Sequence, residues 1–191
     1  MTNKNIKQTE DMLLKLGGTY ILNHAKRTLH LSKQIAMEEN IEYDENILQF
    51  ICYFHDISVF PPYRPEGKFD HALESSKLMP QLAKEYGFSD KDIEVIVEAV
   101  LYHDKPMLGK YNETKLLRDA DGVDYLGCMA IARDFSKLPK DMKGAISAIE
   151  EHKESFSQII ETEYARRLAK PRIKEIDDFI TSFKKESFGM Y

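Results

Sequence analysis

Apolar positions recur along this chain at the three- and four-residue intervals of helices that bury one side. Ile21, Leu22, Ala25, Thr28, Leu29 and Ile35 mark the inner face of a helix over 19–39. Positions 47, 48, 51 and 54 do the same for a helix over 44–56, with Asp44 as its expected cap. Ser89 and Asp92, at capping-box spacing, open a helix that carries Ile93, Ile96, Val97, Val100 and Leu101 and ends at Asp104-Lys105-Pro106. Leu117, Ala120, Asp121, Asp124, Cys128 and Ile131 share one face of a helix over 113–135. Ile173, Ile176, Phe179, Ile180 and Phe183 line another over 172–186. Weaker signals add helices over 5–16, stopped by Gly17-Gly18, over 69–86, stopped by Gly87, and over 141–169. Between them, Pro61, Pro62, Pro65 and Gly67 exclude regular structure from the segment Val59–Lys68. No stretch alternates with period two and no internal repeat occurs. The pattern predicts an all-α fold in a single domain over 1–191, with the C-terminal helical pair (141–186) packing on the rest or supporting a homodimer.

The polar residues that interrupt these stripes change the picture. His24 lies within an apolar face, one turn from Thr28, and His55 lies beside the stripe of its helix. Asp56 follows at that helix's end, where the last carbonyls repel an uncompensated negative charge and a bound cation would supply the compensation. Asp121 breaks an apolar stripe, and a buried carboxylate costs several kcal/mol unless it is paired or binds metal. His71 opens one helix and His103 closes the next, so an antiparallel pair turning at Gly87–Ser89 would bring them together. His30 and His152 are assigned to ordinary structural positions. The segment from Phe60 to Phe69, with Arg64 and Lys68, is expected to cover a phosphate site.

Composition narrows the classes. The net charge of −5 argues against a nucleic-acid protein that neutralises many phosphates, though not against a small basic pocket. Cys52 and Cys128 sit among apolar residues and are expected to be core thiols in a reducing compartment. Met1-Thr2-Asn3-Lys4-Asn5 lacks the apolar core of a signal peptide, and no stretch has the length of a membrane span, so a cytoplasmic location is expected, with no membrane and no nucleic acid as partner.

His24 on one helix, His55-Asp56 on the next, and Asp121 in the helical run Leu117-Arg118-Asp119-Ala120-Asp121-Gly122-Val123-Asp124 together resemble the HD superfamily of metal-dependent phosphohydrolases. The resemblance covers about 20–135. It implies a helical core with a divalent metal ion held by His24, His55, Asp56 and Asp121, with Asp119 as the alternative to Asp121. His71 and His103 match positions where some members carry ligands for a second metal, bridged by the Asp of the pair. One metal is favoured here, with His71 and His103 lining the phosphate pocket as acid or donor. No Gly-Tyr-Pro follows the histidines, which tells against a cyclic-dinucleotide phosphodiesterase, and the Glu-Asp of alarmone hydrolases is missing. Ser58-Val59 stands where Gly-Lys commonly follows His-Asp-Ile.

The implied chemistry is hydrolysis of a nucleotide or another small phosphate ester by metal-activated water, with Asp56 binding the ion or orienting the water. The metal set compatible with imidazole and carboxylate ligands is Mn, Fe, Co, Ni, Mg or Zn. Arg27, Arg64, Lys68 and Arg133 are the expected phosphate-binding residues, with Arg27 and Arg133 preferred because a guanidinium grips phosphate bidentately. Two rival readings are a di-iron oxygenase of the HD type and a non-catalytic helical module stabilised by a structural ion.

Overall fold

The computed structural model describes residues 3–191. Met1 and Thr2, part of the segment read for a leader sequence, lie outside the described residues. The elements are α1 (Asn3–Glu39), α2 (Glu45–Phe54), a 3-10 turn (Ile57–Val59), α3 (His71–Glu85), α4 (Asp90–Tyr102), α5 (Asn112–Asp124), α6 (Cys128–Lys137), α7 (Met142–Ile159) and α8 (Glu163–Glu186). Among the described residues there is no strand, and no helix is long and apolar enough to cross a membrane. The architecture is all-α, as the periodicity predicts.

α2 is the central element. Ile47, Leu48, Phe50, Ile51, Cys52, Tyr53 and Phe54 are all buried, and α1, α4 and α5 pack around it. Each such apolar side chain contributes roughly 1.5–3 kcal/mol by leaving water. Asp44 caps the helix by accepting from the amides of Asn46 and Ile47 at 2.8 and 3.0 Å. α3 and α4 form an antiparallel hairpin across the turn at Gly87, opened on the α4 side by the Ser89–Asp92 capping box. The bend expected at Gly17-Gly18 is present as a break inside α1 at Gly18 (φ 66°).

Three boundaries differ from the sequence reading. The helix expected over 113–135 is two helices, interrupted at Tyr125–Gly127, where Gly127 has φ 77°. A side chain there would meet Arg172 and Glu175 of α8 at about 3 Å, and Arg172 also donates to the Val123 carbonyl at the end of α5 (2.6 Å). Close approach by α8 therefore sets the break, which also rotates Cys128 outward; it is exposed, and only Cys52 is a buried core thiol. The C-terminal pair divides at Ile160–Thr162 rather than before Pro171, which lies inside α8. Ala165 and Ala169 before the proline and Ile176 and Ile180 after it are buried, so tertiary packing holds the helix through one lost backbone bond. The third difference is the 3-10 turn, which the proline-rich reading did not anticipate.

Asp119 decides where α8 begins. Its carboxylate accepts from the amides of Glu161 and Thr162 (both 2.8 Å) and from the Thr162 hydroxyl (2.5 Å). This fully buried side chain is a structural clamp between α5 and the α7–α8 junction. Asp119→Ala is expected to leave these donors unsatisfied and to destabilise the protein by about 3 kcal/mol, on the order of 10 °C in Tm, while metal content is unchanged. Thermal melts paired with elemental analysis check both halves. Loss of metal in a protein of parental stability would return Asp119 to the ligand set.

Candidate metal centre and adjoining cavity

The packing of α1, α2 and α5 brings the donor atoms of His24, His55 and Asp121 together, with Asp56 at their edge. His24 Nε2 lies 3.2 Å from His55 Nε2, 3.3 Å from Asp121 Oδ1 and 3.8 Å from Asp56 Oδ2. His55 Nε2 is 3.7 Å from both carboxylates. Donors about 2.1 Å from one ion stand about 3.0 Å apart in an octahedron and about 3.4 Å in a tetrahedron, so His24, His55 and Asp121 could hold a divalent metal, with Asp56 a few tenths of an ångström beyond that spacing. The other ring nitrogens are committed. His24 Nδ1 donates to Asp124 Oδ2 (2.8 Å) and His55 Nδ1 to the Cys52 carbonyl (3.2 Å). Such contacts orient a metal-binding imidazole and present Nε2 to the ion. Asp121 Oδ1 is buried and has no hydrogen-bond partner.

Ionisation reports the same excess of negative charge. Burial opposes the charged form of His24, yet the neighbouring carboxylates of Asp121 and Asp124 push its pKa up to about 9. Burial likewise opposes ionised Asp121, but His24 and His55 hold it well below the usual carboxylate range. Asp56 is lowered too, its burial outweighed by the charges of His55 and His71. The pocket is built for positive charge.

Behind His24 stands a buried ion cluster. Asp124, 1% exposed, accepts from Arg27 Nε (2.6 Å) and Nη2 (3.0 Å) and from Arg133 Nη2 (2.7 Å) in addition to His24. The Arg133 guanidinium carbon also lies over the Tyr125 ring, 3.9 Å from its centre. Both arginines preferred for phosphate therefore also hold the carboxylate that orients His24, a role that periodicity alone did not reveal. Asp124 went unassigned in the sequence reading; its place on the Asp121 stripe, three residues on, was the available signal.

The ends of α3 and α4 meet as their turn predicts. His71 Nε2 and His103 Nε2 are 3.2 Å apart and face the second oxygen of Asp56, Oδ1, at 3.5 and 3.8 Å. His103 Nδ1 donates to the Val100 carbonyl (2.7 Å). The buried Arg118 fixes the chain after His103 by donating to the carbonyls of Lys105 (2.7 Å) and Leu108 (2.6 Å) and pairing with Glu161. On the other side, Ser58 Oγ donates to the His71 carbonyl (2.9 Å), tying α3 to the 3-10 turn.

Asp56 and His71 open onto a cavity with two arms. One, of about 480 Å³, runs past Tyr20, Ile21, Val59, Phe60 and Tyr125 and is mainly apolar. The other, of about 310 Å³, is more polar and reaches Asp104, His152 and Ser155. Tyr125 and Lys137 border both. Two residues that the sequence reading did not place thus line the site. Lys137 carried no signal. His152, assigned to an ordinary structural position, is oriented by the buried Asp134 (2.8 Å) and lies one turn before Phe156, which stacks on Tyr125 at 4.2 Å. Arg64 and Lys68 are exposed, and the Arg64 guanidinium lies 5.7 Å from the Phe69 ring centre. Neither lines the cavity beside Asp56.

A family model described as HD domain matches residues 21–126. No curated protein matches the chain. Among solved structures, a predicted HD superfamily hydrolase from an uncultured Thermotogales bacterium is 25% identical, with a TM-score of 0.59 over 86% of this chain and 79% of that one. Bacillus subtilis YpgQ in complex with ADP is 21% identical, with a TM-score of 0.67 over 94% and 96%. An HD-superfamily hydrolase from Bacillus thuringiensis is 18% identical, with a TM-score of 0.69 over 96% of each chain.

Proposed function

For a chain that belongs to the HD-domain family, we propose a metal-dependent phosphohydrolase that acts on a nucleotide or another small phosphate ester. The observation that carries this reading is the convergence of His24 Nε2, His55 Nε2, Asp56 Oδ2 and Asp121 Oδ1, with the Nδ1 atoms of both rings already engaged. A divalent ion at this position supplies Lewis acidity and lowers the pKa of water at neutral pH. The chain's own residues do the rest. Asp56 links the cluster to the cavity, with one oxygen toward His24 and His55 and the other toward His71 and His103. The half-exposed His71 can donate a hydrogen bond to a phosphate oxygen, and Lys137 adds positive charge at the border of both arms. The ADP bound by the YpgQ neighbour supports a nucleotide as substrate.

We further propose two cation positions that share Asp56. The residue pattern alone favoured one, but Oδ1 of Asp56 faces His71 and His103 much as Oδ2 faces His24 and His55. Elemental analysis is expected to give two metals per chain in the parent and one in either His71→Ala or His103→Ala, with lower turnover in both. One metal in the parent and in both variants would restore the mononuclear reading. Phosphate release from nucleoside mono-, di- and triphosphates, measured with and without O2, tests the reaction class. Equal turnover in both atmospheres is the expected result; strict dependence on O2 would favour the oxygenase reading.

A further inference from the structure

We propose that the apolar arm is a subsite for the planar aromatic ring of the substrate, a nucleobase, and that Gly17 sets its width. Three observations point there. Tyr20, Phe60 and Tyr125 give the arm aromatic walls, Ile21 and Val59 complete them, and the volume of about 480 Å³ suits a small molecule. The arm is continuous with Asp56 and His71 at its inner end and with Lys137 at its border, so a ligand with one anionic and one flat apolar end fits its polarity. The wall is also coupled to the metal cluster through the shortest connection in the chain. Asp56 leads directly into the 3-10 turn, whose bonds from Val59 N to Asp56 O (3.0 Å) and from Phe60 N to Ile57 O (3.2 Å) place the Phe60 ring.

Gly17 is the residue against which that ring rests. A β-carbon there would lie 2.6 Å from Phe60 Cε1 and 2.7 Å from Ile21 Cγ2, distances that packed atoms do not tolerate. Phe60 has the α1 backbone on one side and the cavity on the other, and Ile21 lines the same cavity. An added methyl group at position 17 therefore drives the walls into the arm. Gly17 acts through Phe60 and Ile21 and is a positioning residue, distinct from the break at Gly18.

This inference rests on the reading that phosphate lies at the His–Asp cluster, and the test separates the two. Binding of adenosine, AMP and inorganic phosphate to the manganese-loaded protein is measured by calorimetry for the parent, Gly17→Ala, Phe60→Leu and the double variant. Base stacking of ordinary strength predicts roughly tenfold weaker adenosine and AMP binding in Gly17→Ala, with phosphate binding unchanged. In the Phe60→Leu background, where the clashing ring atom is gone, Gly17→Ala is expected to cost little, so the double variant binds adenosine about as Phe60→Leu alone does. Adenosine affinity unaltered by Gly17→Ala, or phosphate affinity falling by the same factor, overturns the subsite. So does a parent protein that does not bind adenosine. Adenosine bound without any binding of phosphate leaves the subsite standing and removes the phosphohydrolase reading instead.

Discussion

Asp56→Ala is expected to reduce metal content from two ions per chain to fewer than one and phosphate-ester turnover to background. The two oxygens of Asp56 face both donor groups, His24 and His55 with one and His71 and His103 with the other. Loss of an outer partner of a ligand already costs about 10–100-fold in metal affinity, and loss of a ligand common to both positions costs more at each. The fold should survive. Although Asp56 precedes the 3-10 turn, its side chain makes no capping hydrogen bond, so the helical circular-dichroism signal is expected to match the parent. Asp121→Asn should be nearly as damaging, because the amide keeps the shape but loses the charge. A folded Asp56→Ala protein with full activity would remove the site assignment altogether.

Asp124→Ala is expected to be the most destabilising single change in the site. It removes the common partner of Arg27, Arg133 and His24, leaving the guanidinium of Arg133 buried without its carboxylate. Breaking a buried pair from one side costs about 3–5 kcal/mol, on the order of 10 °C in Tm for a chain of this size. The charge also gives a signature in pH. Burial opposes ionisation of Asp124, but hydrogen bonds from His24 and Arg27 and the charge of Arg133 hold its carboxyl far below the usual range. A depressed folded-state pKa contributes stability that is fully present above the unfolded value, about 4, and is lost as pH falls below it. Asp124→Asn should therefore cost most at neutral pH and progressively less toward strong acid, where the parent has lost the same contribution. Denaturant unfolding of metal-free protein across pH 2–7 checks this. A cost independent of pH would mean that the shape of Asp124, not its charge, supports the cluster.

Much of this protein is written locally. Apolar stripes defined the helices because each helix must bury one face, and the same stripes exposed His24, His55 and Asp121 as polar residues on inward faces. The turn at Gly87 was enough to bring His71 to His103, since a short connection forces neighbouring helices to run antiparallel. Asp121 over Asp119 was also legible, because only Asp121 falls in line with the apolar positions.

What the stripes did not carry is decided by partners far away in the chain. Arg27 and Arg133 sit at helix borders where periodicity cannot reveal an ion pair, and their shared partner Asp124 lies 97 residues from Arg27. The split between α5 and α6 follows from the approach of α8, and the role of Asp119 from the amides of Glu161 and Thr162, both brought in by packing. Lys137 and His152 reach the cavity because α7 packs against α5 and α6 packs against α7, whereas Arg64 and Lys68, adjacent to the His-Asp pair in sequence, are exposed and do not line it. Sequence alone determined which side chains need an inward environment, because burial is a property of each helix. Tertiary structure decided which of them share one, because donor atoms meet over 3–4 Å only where whole helices are held against each other.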